Sequence, residues 1–252
     1  MNIVFDVDGT ICFNGQYIED ELSNQITALQ QKHNIIFASA RPIRDLIPVV
    51  KNFNSRLLIG GNGSIVQNDD GIEVVQSIDA ASFVTIKNLI HRYHLKYIVD
   101  DVFNYASNLS SDYKIYKQLD PDHLAKNIEL EEISTPIKII LIDIPSNNYP
   151  LLKKHIEKLS DQLSINFHDN DRNIDITAEN INKYTTLIKY LRNEDYIAFG
   201  NDVNDIQLLN HAVKAYFVGT KDNQIALNLQ HLNLIEADTQ LITQNIGKSL
   251  LN

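Results

Sequence analysis

Asp6 and Asp8 stand two residues apart at the end of a short apolar run, Ile3-Val4-Phe5, within the opening MNIVFDVDGT. Such a run reads as a parallel strand buried on both faces. In open α/β sheets, ligands bind beyond the carboxyl ends of such strands. Two carboxylates placed there repel each other unless something positive lies between them. Magnesium suits that position, because it takes hard oxygen ligands and is held by one or two carboxylates together with phosphate. Gly9 then permits a sharp turn, and Thr10 adds a hydroxyl and a backbone N–H. The plainer reading of Asp and Gly is a strand-terminating turn. A second, basic site and a third, acidic loop further along the chain decide for the chemistry.

Those features are present. Ile35–Ala38 is a second short apolar strand, tipped by Ser39, Ala40 and Arg41 and followed by Pro42. Ser39 offers a hydroxyl to a phosphoryl group or caps the next helix. Arg41 anchors a phosphate or pairs with a nearby acid such as Asp45 on the same helix. Lys183 opens a helix just beyond a strand, a placement that separates it from an ordinary solvated lysine. Tyr196–Phe199 is another buried strand, and its tip reads Gly200, Asn201, Asp202, Val203, Asn204, Asp205. Asn62 and Gly63 form a turn or a loop that touches substrate. None of the eight histidines sits at a metal-ligand spacing.

The elements around these tips alternate strand and helix. A helix carries Leu22, Ile26 and Leu29 on one face, and another carries Ile43, Leu46, Ile47 and Val50, bent or shortened at Pro48. Leu57–Ile59 is a third strand, and Ile65-Val66 with Ile72–Val75 predicts a hairpin around Asp70-Gly71. From about Ser77 the polar tips disappear. A helix over 82–94, strands at 97–99, 137–144 and 163–167, strand-like spacing at Tyr105, Tyr113 and Tyr116, and a helix over 149–160 predict a separate α+β module. Asn173–Thr177 then restarts the strand–helix rhythm, and Ala215–Val218 with a helix over 239–251 completes the sheet. The expected organisation is a doubly wound, Rossmann-like parallel-sheet core from 1–77 and 169–252, with a smaller inserted module over 78–168.

Composition narrows the class. The 252 residues are 44% apolar, enough for a proper core, and no run approaches a membrane span. A net charge of −10 argues against nucleic acid or an anionic membrane as partner, so any phosphate site must be built locally from a few cations and N–H groups. An acid within the first six residues and no basic stretch argue against a signal peptide. The lone cysteine, Cys12, excludes a disulfide framework, which makes a reducing cytoplasm the expected location. A monomer or homodimer is expected.

The ordered set Asp6/Asp8, Ser39, Lys183 and the loop Asn201–Asp205 resembles the haloacid dehalogenase superfamily, and the insert between Ser39 and Lys183 resembles the C2-type cap of its Cof-type (subclass IIB) phosphatases. The resemblance implies a magnesium-dependent phosphatase acting on a small phosphorylated metabolite, such as a sugar phosphate or pyridoxal phosphate, under a cap that encloses it. It makes Asp6 the nucleophile that forms an aspartyl-phosphate and Asp8 the general acid and base. Ser39 and Lys183 then hold the phosphoryl group and its charge. Gly9, Thr10, Ala40, Arg41, Asn62, Gly63 and Asn204 fall on the substrate side. The ion takes the Asp6 side chain and the Asp8 backbone carbonyl. The family's further metal aspartate is Asn201 here, so either this neutral amide or the adjacent Asp202 completes the set, with Asp205 orienting from behind. Ser39-Ala40 replaces Thr-Gly, and Tyr184 replaces a glycine. Two alternatives stand beside this reading: a phosphomannomutase-like sugar-phosphate mutase, disfavoured by an insert whose one arginine is Arg92, and a catalytically weak metabolite-binding protein, suggested by Asn201.

Overall fold

The computed structural model describes residues 1–192 and 194–248. The chain divides into two compact units, one formed by Met1–Ile72 with the chain from Asn182 onward, the other by Glu73–Ile181.

In the first unit, strand β1 (Asn2–Asp6) is buried at all five positions. It lies in parallel between β2 (Asn34–Ala38) and β11 (Tyr196–Gly200), which explains its unbroken apolar run. The chain moves from β1 through α1 (Asp20–Gln30), β2, α2 (Ile43–Val50) and β3 (Leu58–Gly60) to one side, then returns through α5 (Lys183–Leu191) to build β11, β12 (Lys214–Val218) and β13 (Asn233–Ile235) on the other. The strand order β13-β12-β11-β1-β2-β3 is parallel throughout, and the hairpin of β4 (Ile65–Asn68) and β5 (Gly71–Val74) extends its far edge. The direction of winding reverses at β1, so the crevice for a ligand opens at its carboxyl end. Because the strands are parallel, the tips of β1, β2 and β11 share one edge. A row of rings crosses the sheet one residue below those tips: Phe5 stacks on Phe199 at 4.8 Å, and Phe199 on Tyr216 at 4.6 Å.

The second unit is a five-stranded antiparallel sheet, ordered β7 (Tyr105–Ser107), β6 (Lys96–Asp100), β8 (Lys138–Ile142), β10 (Asn173–Ala178), β9 (Leu163–His168). The helices α3 (Ala80–Tyr93) and α4 (Tyr149–Glu157) bury Phe83, Ile86, Ile90, Leu152 and Ile156 against Ile139, Leu141, Ile174 and Ile176. The opposite face buries Ile98 and Ile142 beneath Leu109 and Leu119. Gln76 Nε2 donates to the Glu179 carbonyl at 3.2 Å, tying together the two ends of this unit.

Two expectations change here. The core does not resume at 169: Asn173–Ala178 pairs antiparallel with β8 and β9, so the unit runs from 73 to 181 instead of 78 to 168. Its alternating Ile174 and Ile176 mark a strand buried on one face, as in antiparallel sheets. Tyr113 and Tyr116 sit at a 3₁₀ turn, Lys114–Gln118, and not in a strand. The last helix is described over Thr239–Ile246, and the expected continuation through 249–251 lies outside the described residues. Among the described residues, no helix is long and apolar enough to cross a membrane.

Candidate active site

Asp6 is the last residue of β1, and its carboxylate is buried. Its Oδ1 lies 2.5 Å from Lys183 Nζ, and its Oδ2 accepts from the Thr10 hydroxyl at 2.6 Å. Lys183, the first residue of α5, is completely buried and also donates to Asp205 Oδ1 at 2.7 Å. The start of that helix is fixed by Asn182 and Thr185, whose side chains cap each other's backbone N–H groups. Asp205 in turn accepts from the backbone N–H groups of Asn201 and Asp202 at 3.0 and 3.2 Å, folding the tip of β11 around itself. Gly200 is required there, because a Cβ would come within 2.7 Å of the Asp205 side chain.

One ammonium therefore serves two buried carboxylates, which leaves one negative charge in surplus. Burial first, then the charge of Asp205, pushes the Asp6 carboxyl up to about 7, against the opposing pull of Lys183 and the Thr10 hydroxyl. Burial alone would lower the Lys183 ammonium, but Asp205 and Asp6 outweigh it and hold the group above the usual lysine range.

The segment after β1 turns tightly, with the N–H groups of Thr10, Ile11 and Cys12 all donating to the Val7 carbonyl. Gly9 adopts φ +77°, and a Cβ there would collide with the Asn201 amide. This turn sends the Asp8 side chain and its carbonyl to separate partners. The carboxylate accepts two bonds from one edge of the Arg41 guanidinium, from Nε at 2.8 Å and from Nη2 at 2.5 Å. Arg41 is itself fixed by the carbonyls of Gly15 (2.8 Å) and Asp45 (3.4 Å). Asp45's carboxylate belongs to the fully buried Arg44, at 2.7 and 2.8 Å. Of the two readings of Arg41, phosphate anchor or partner of a nearby acid, the structure shows the second, with Asp8 as the acid in place of Asp45. Nothing in the sequence flags Arg44, because adjacent helical residues do not ordinarily face one another.

Ser39 is fully buried, and its Oγ accepts from the Arg41 backbone N–H at 3.1 Å. The cap position of α2 belongs to Pro42, so Ser39 is no helix cap. Ala40 is half-buried between them. Asn62 has left-handed backbone, φ 57°, and accepts from Asn204 Nδ2 at 3.0 Å. Gly63, φ +108°, offers its carbonyl to Thr186 Oγ1 at 2.7 Å, and a Cβ on it would meet the Asn182 carbonyl at 2.5 Å. Asn62, Gly63 and Asn204 were expected on the substrate side. Asn62 and Asn204 bond each other and Gly63 bonds α5, and Asn62 and Gly63 take the turn conformation. In the second unit, Asp101 accepts from the N–H groups of Val102, Ser134 and Thr135, a loop staple.

Among the described residues, no three His, Cys, Asp or Glu side chains converge on a metal position. The oxygens that do converge include a carbonyl and an amide. One terminal atom of the Asn201 amide lies 3.0 Å from Asp6 Oδ2, 3.1 Å from the Asp8 carbonyl oxygen and 3.3 Å from Thr10 Oγ1. With oxygen at that position, acceptors face one another, an arrangement a cation relieves. These residues fit the ion. Asp202, in contrast, has an exposed carboxylate that caps Val203 N–H at 2.7 Å.

The sequence profile of the haloacid dehalogenase-like hydrolases matches residues 3–234. Over 268 aligned positions the chain is 26% identical to BU028/BU029 of Buchnera aphidicola subsp. Acyrthosiphon pisum (strain APS), named a candidate phosphatase, covering 94% of this chain and 91% of that one. The structure of the HAD subclass IIB sugar phosphatase BT4131 is similar with a TM-score of 0.77, at 17% identity over 98% of both chains. SMU.1108c from Streptococcus mutans UA159 is similar with a TM-score of 0.78, at 20% identity over 100% of this chain and 99% of that one. These structures share the fold, and the profile spans nearly the whole sequence: the chain belongs to the haloacid dehalogenase-like hydrolase family.

Proposed function

We propose that this hydrolase is a magnesium-dependent phosphomonoesterase acting on a small phosphorylated metabolite, a sugar phosphate or a cofactor phosphate, through an aspartyl-phosphate on Asp6. The observation that carries the reading is the position of Asp6: a buried carboxylate at the central strand tip, bonded to Lys183 on one oxygen and Thr10 on the other. The phosphatase name of the Buchnera relative agrees with it.

An Asp6 oxygen attacks phosphorus as the ester P–O bond breaks, and Asp8 gives a proton to the departing alkoxide. Water then attacks the acyl phosphate while Asp8 takes a proton from it, which releases phosphate and restores Asp6. Lys183 holds Asp6 in line and offsets phosphoryl charge, and Ser39, whose oxygen already accepts from Arg41 N–H, keeps its O–H for a phosphoryl oxygen. Asp6, the Asp8 carbonyl and Asn201 would hold the ion, which would supply charge stabilisation for the transferring group. Asp205 sets the loop and the lysine.

The test is phosphate release from a panel of sugar phosphates, nucleotides and pyridoxal phosphate, with and without Mg²⁺, alongside Asp6→Asn. Magnesium-dependent turnover that falls by at least about 10³-fold in Asp6→Asn is expected. Equal turnover by the folded variant would remove Asp6 from the chemistry.

A further inference from the structure

Asn201 puts an uncharged side chain where the oxygens of the site converge. Around that point the protein supplies little charge of its own. Asp6 and Asp205 share Lys183, a cluster with one net negative charge, and the Asp8 carboxylate is neutralised by Arg41. Asp202 does not make up the difference, since its carboxylate is exposed and caps Val203. Divalent-cation affinity in oxygen sites follows the charge of the ligand set. Against the two positive charges of the ion that leaves one unmatched, and a phosphoryl dianion beside it would more than supply it.

The amide adds a second effect. Turned so that nitrogen faces inward, it donates to Asp6 Oδ2 at 3.0 Å and to the Asp8 carbonyl at 3.1 Å. Those are the oxygens an ion would take, so the NH₂ group satisfies them in its absence. Turned over, the same side chain presents oxygen. An aspartate at 201 could not donate, and it would face Asp6 with like charge.

We infer that Asn201 makes metal and phosphoryl binding interdependent in this chain: the protein alone holds Mg²⁺ weakly, and a phosphoryl dianion bound beside it completes the site. The inference rests on the phosphatase reading of the same residues. Coupling of this kind is reciprocal, so each ligand tightens the other by the same factor.

Calorimetric titration tests it, with Mg²⁺ added to the full chain in the presence and absence of saturating inorganic phosphate, and phosphate added with and without Mg²⁺. In wild-type protein, phosphate is expected to tighten Mg²⁺ by about tenfold or more, and Mg²⁺ to tighten phosphate equally. Asn201→Asp is expected to tighten Mg²⁺ alone by about tenfold and reduce the coupling below about fivefold, while lowering the melting temperature of the metal-free protein. Asn201→Ser, neutral and oxygen-bearing, retains the coupling. Wild-type coupling below about fivefold, including no Mg²⁺ binding in either condition, overturns the inference. So does unchanged Mg²⁺ affinity in Asn201→Asp, or a loss of Mg²⁺ affinity in Asp202→Asn. A chain that shows the coupling but releases phosphate from no ester keeps this inference and loses the phosphatase reading. Turnover without coupling does the reverse.

Discussion

Arg41 donates through four of its five N–H groups, two to Asp8 and one each to the Gly15 and Asp45 carbonyls. Its side chain is 6% exposed, whereas that of Asp8 is 37% exposed. The guanidinium is therefore a fixed receptor, and the carboxylate is the partner with freedom to leave it. On the phosphatase reading, a residue so committed serves to position Asp8. Arg41→Met should lower kcat/KM for alkyl phosphates by about 10²-fold, the scale of one general acid, and for p-nitrophenyl phosphate by less than about tenfold, because that leaving group needs little protonation. Steady-state kinetics on the two ester classes would measure the split. An equal loss on both, with a weaker inhibition constant for inorganic phosphate, would make Arg41 a phosphate anchor.

At the scale of elements, the second unit encloses its own apolar core between α3, α4 and one face of its sheet. A polypeptide of residues 73–181 alone should fold and unfold cooperatively on heating, with a strand-rich circular dichroism spectrum. A chain cut at the expected boundaries, 78–168, loses β10, which pairs with both β8 and β9, and should not fold. The contrast explains what sequence could convey. Parallel core strands were legible because burial on both faces gives an unbroken apolar run that stops at a polar tip, as at Phe5-Asp6 and Ala38-Ser39. Asn173–Thr177 was assigned to the wrong sheet because alternation reports one buried face without naming its neighbours. β13 went unread because Ile235 alone among its three residues is buried. In the site, Asp6, Lys183 and the β11 loop stood out by type and place. The Arg41–Asp8 pair joins residues 33 apart, and no local pattern announces it.

For the whole molecule, the surplus buried charge makes stability depend on pH and metal. Asp6 is raised from its ordinary 3.8 to about 7, so the folded protein retains a proton that the unfolded chain gives up. Its contribution is full below about pH 4 and is lost as pH rises through about 7, amounting to as much as about 4 kcal/mol. Binding Mg²⁺ favours the ionised carboxylate, so the melting-temperature gain from Mg²⁺ with phosphate should grow across that range. Scanning calorimetry from pH 5 to 8 would follow it. Asp6→Asn should lack both the pH-dependent loss and the metal gain, and a gain retained in that variant would place the ion elsewhere.

The Gln76–Glu179 hydrogen bond has a consequence for the architecture. Closure entropy depends on how far apart in the chain two joined points are, but a folded segment with its ends pinned together presents its host with a short loop, whatever its length. On that argument the length of chain between the joined ends adds little closure entropy to the parallel sheet. An insert with similarly joined ends, spliced after β5, is expected to leave Asp6, Ser39, Lys183 and Asn201 in register, which the cooperative melting of such a chimera would check. In this chain, the residues proposed to break the phosphate ester all lie outside the segment whose ends are joined.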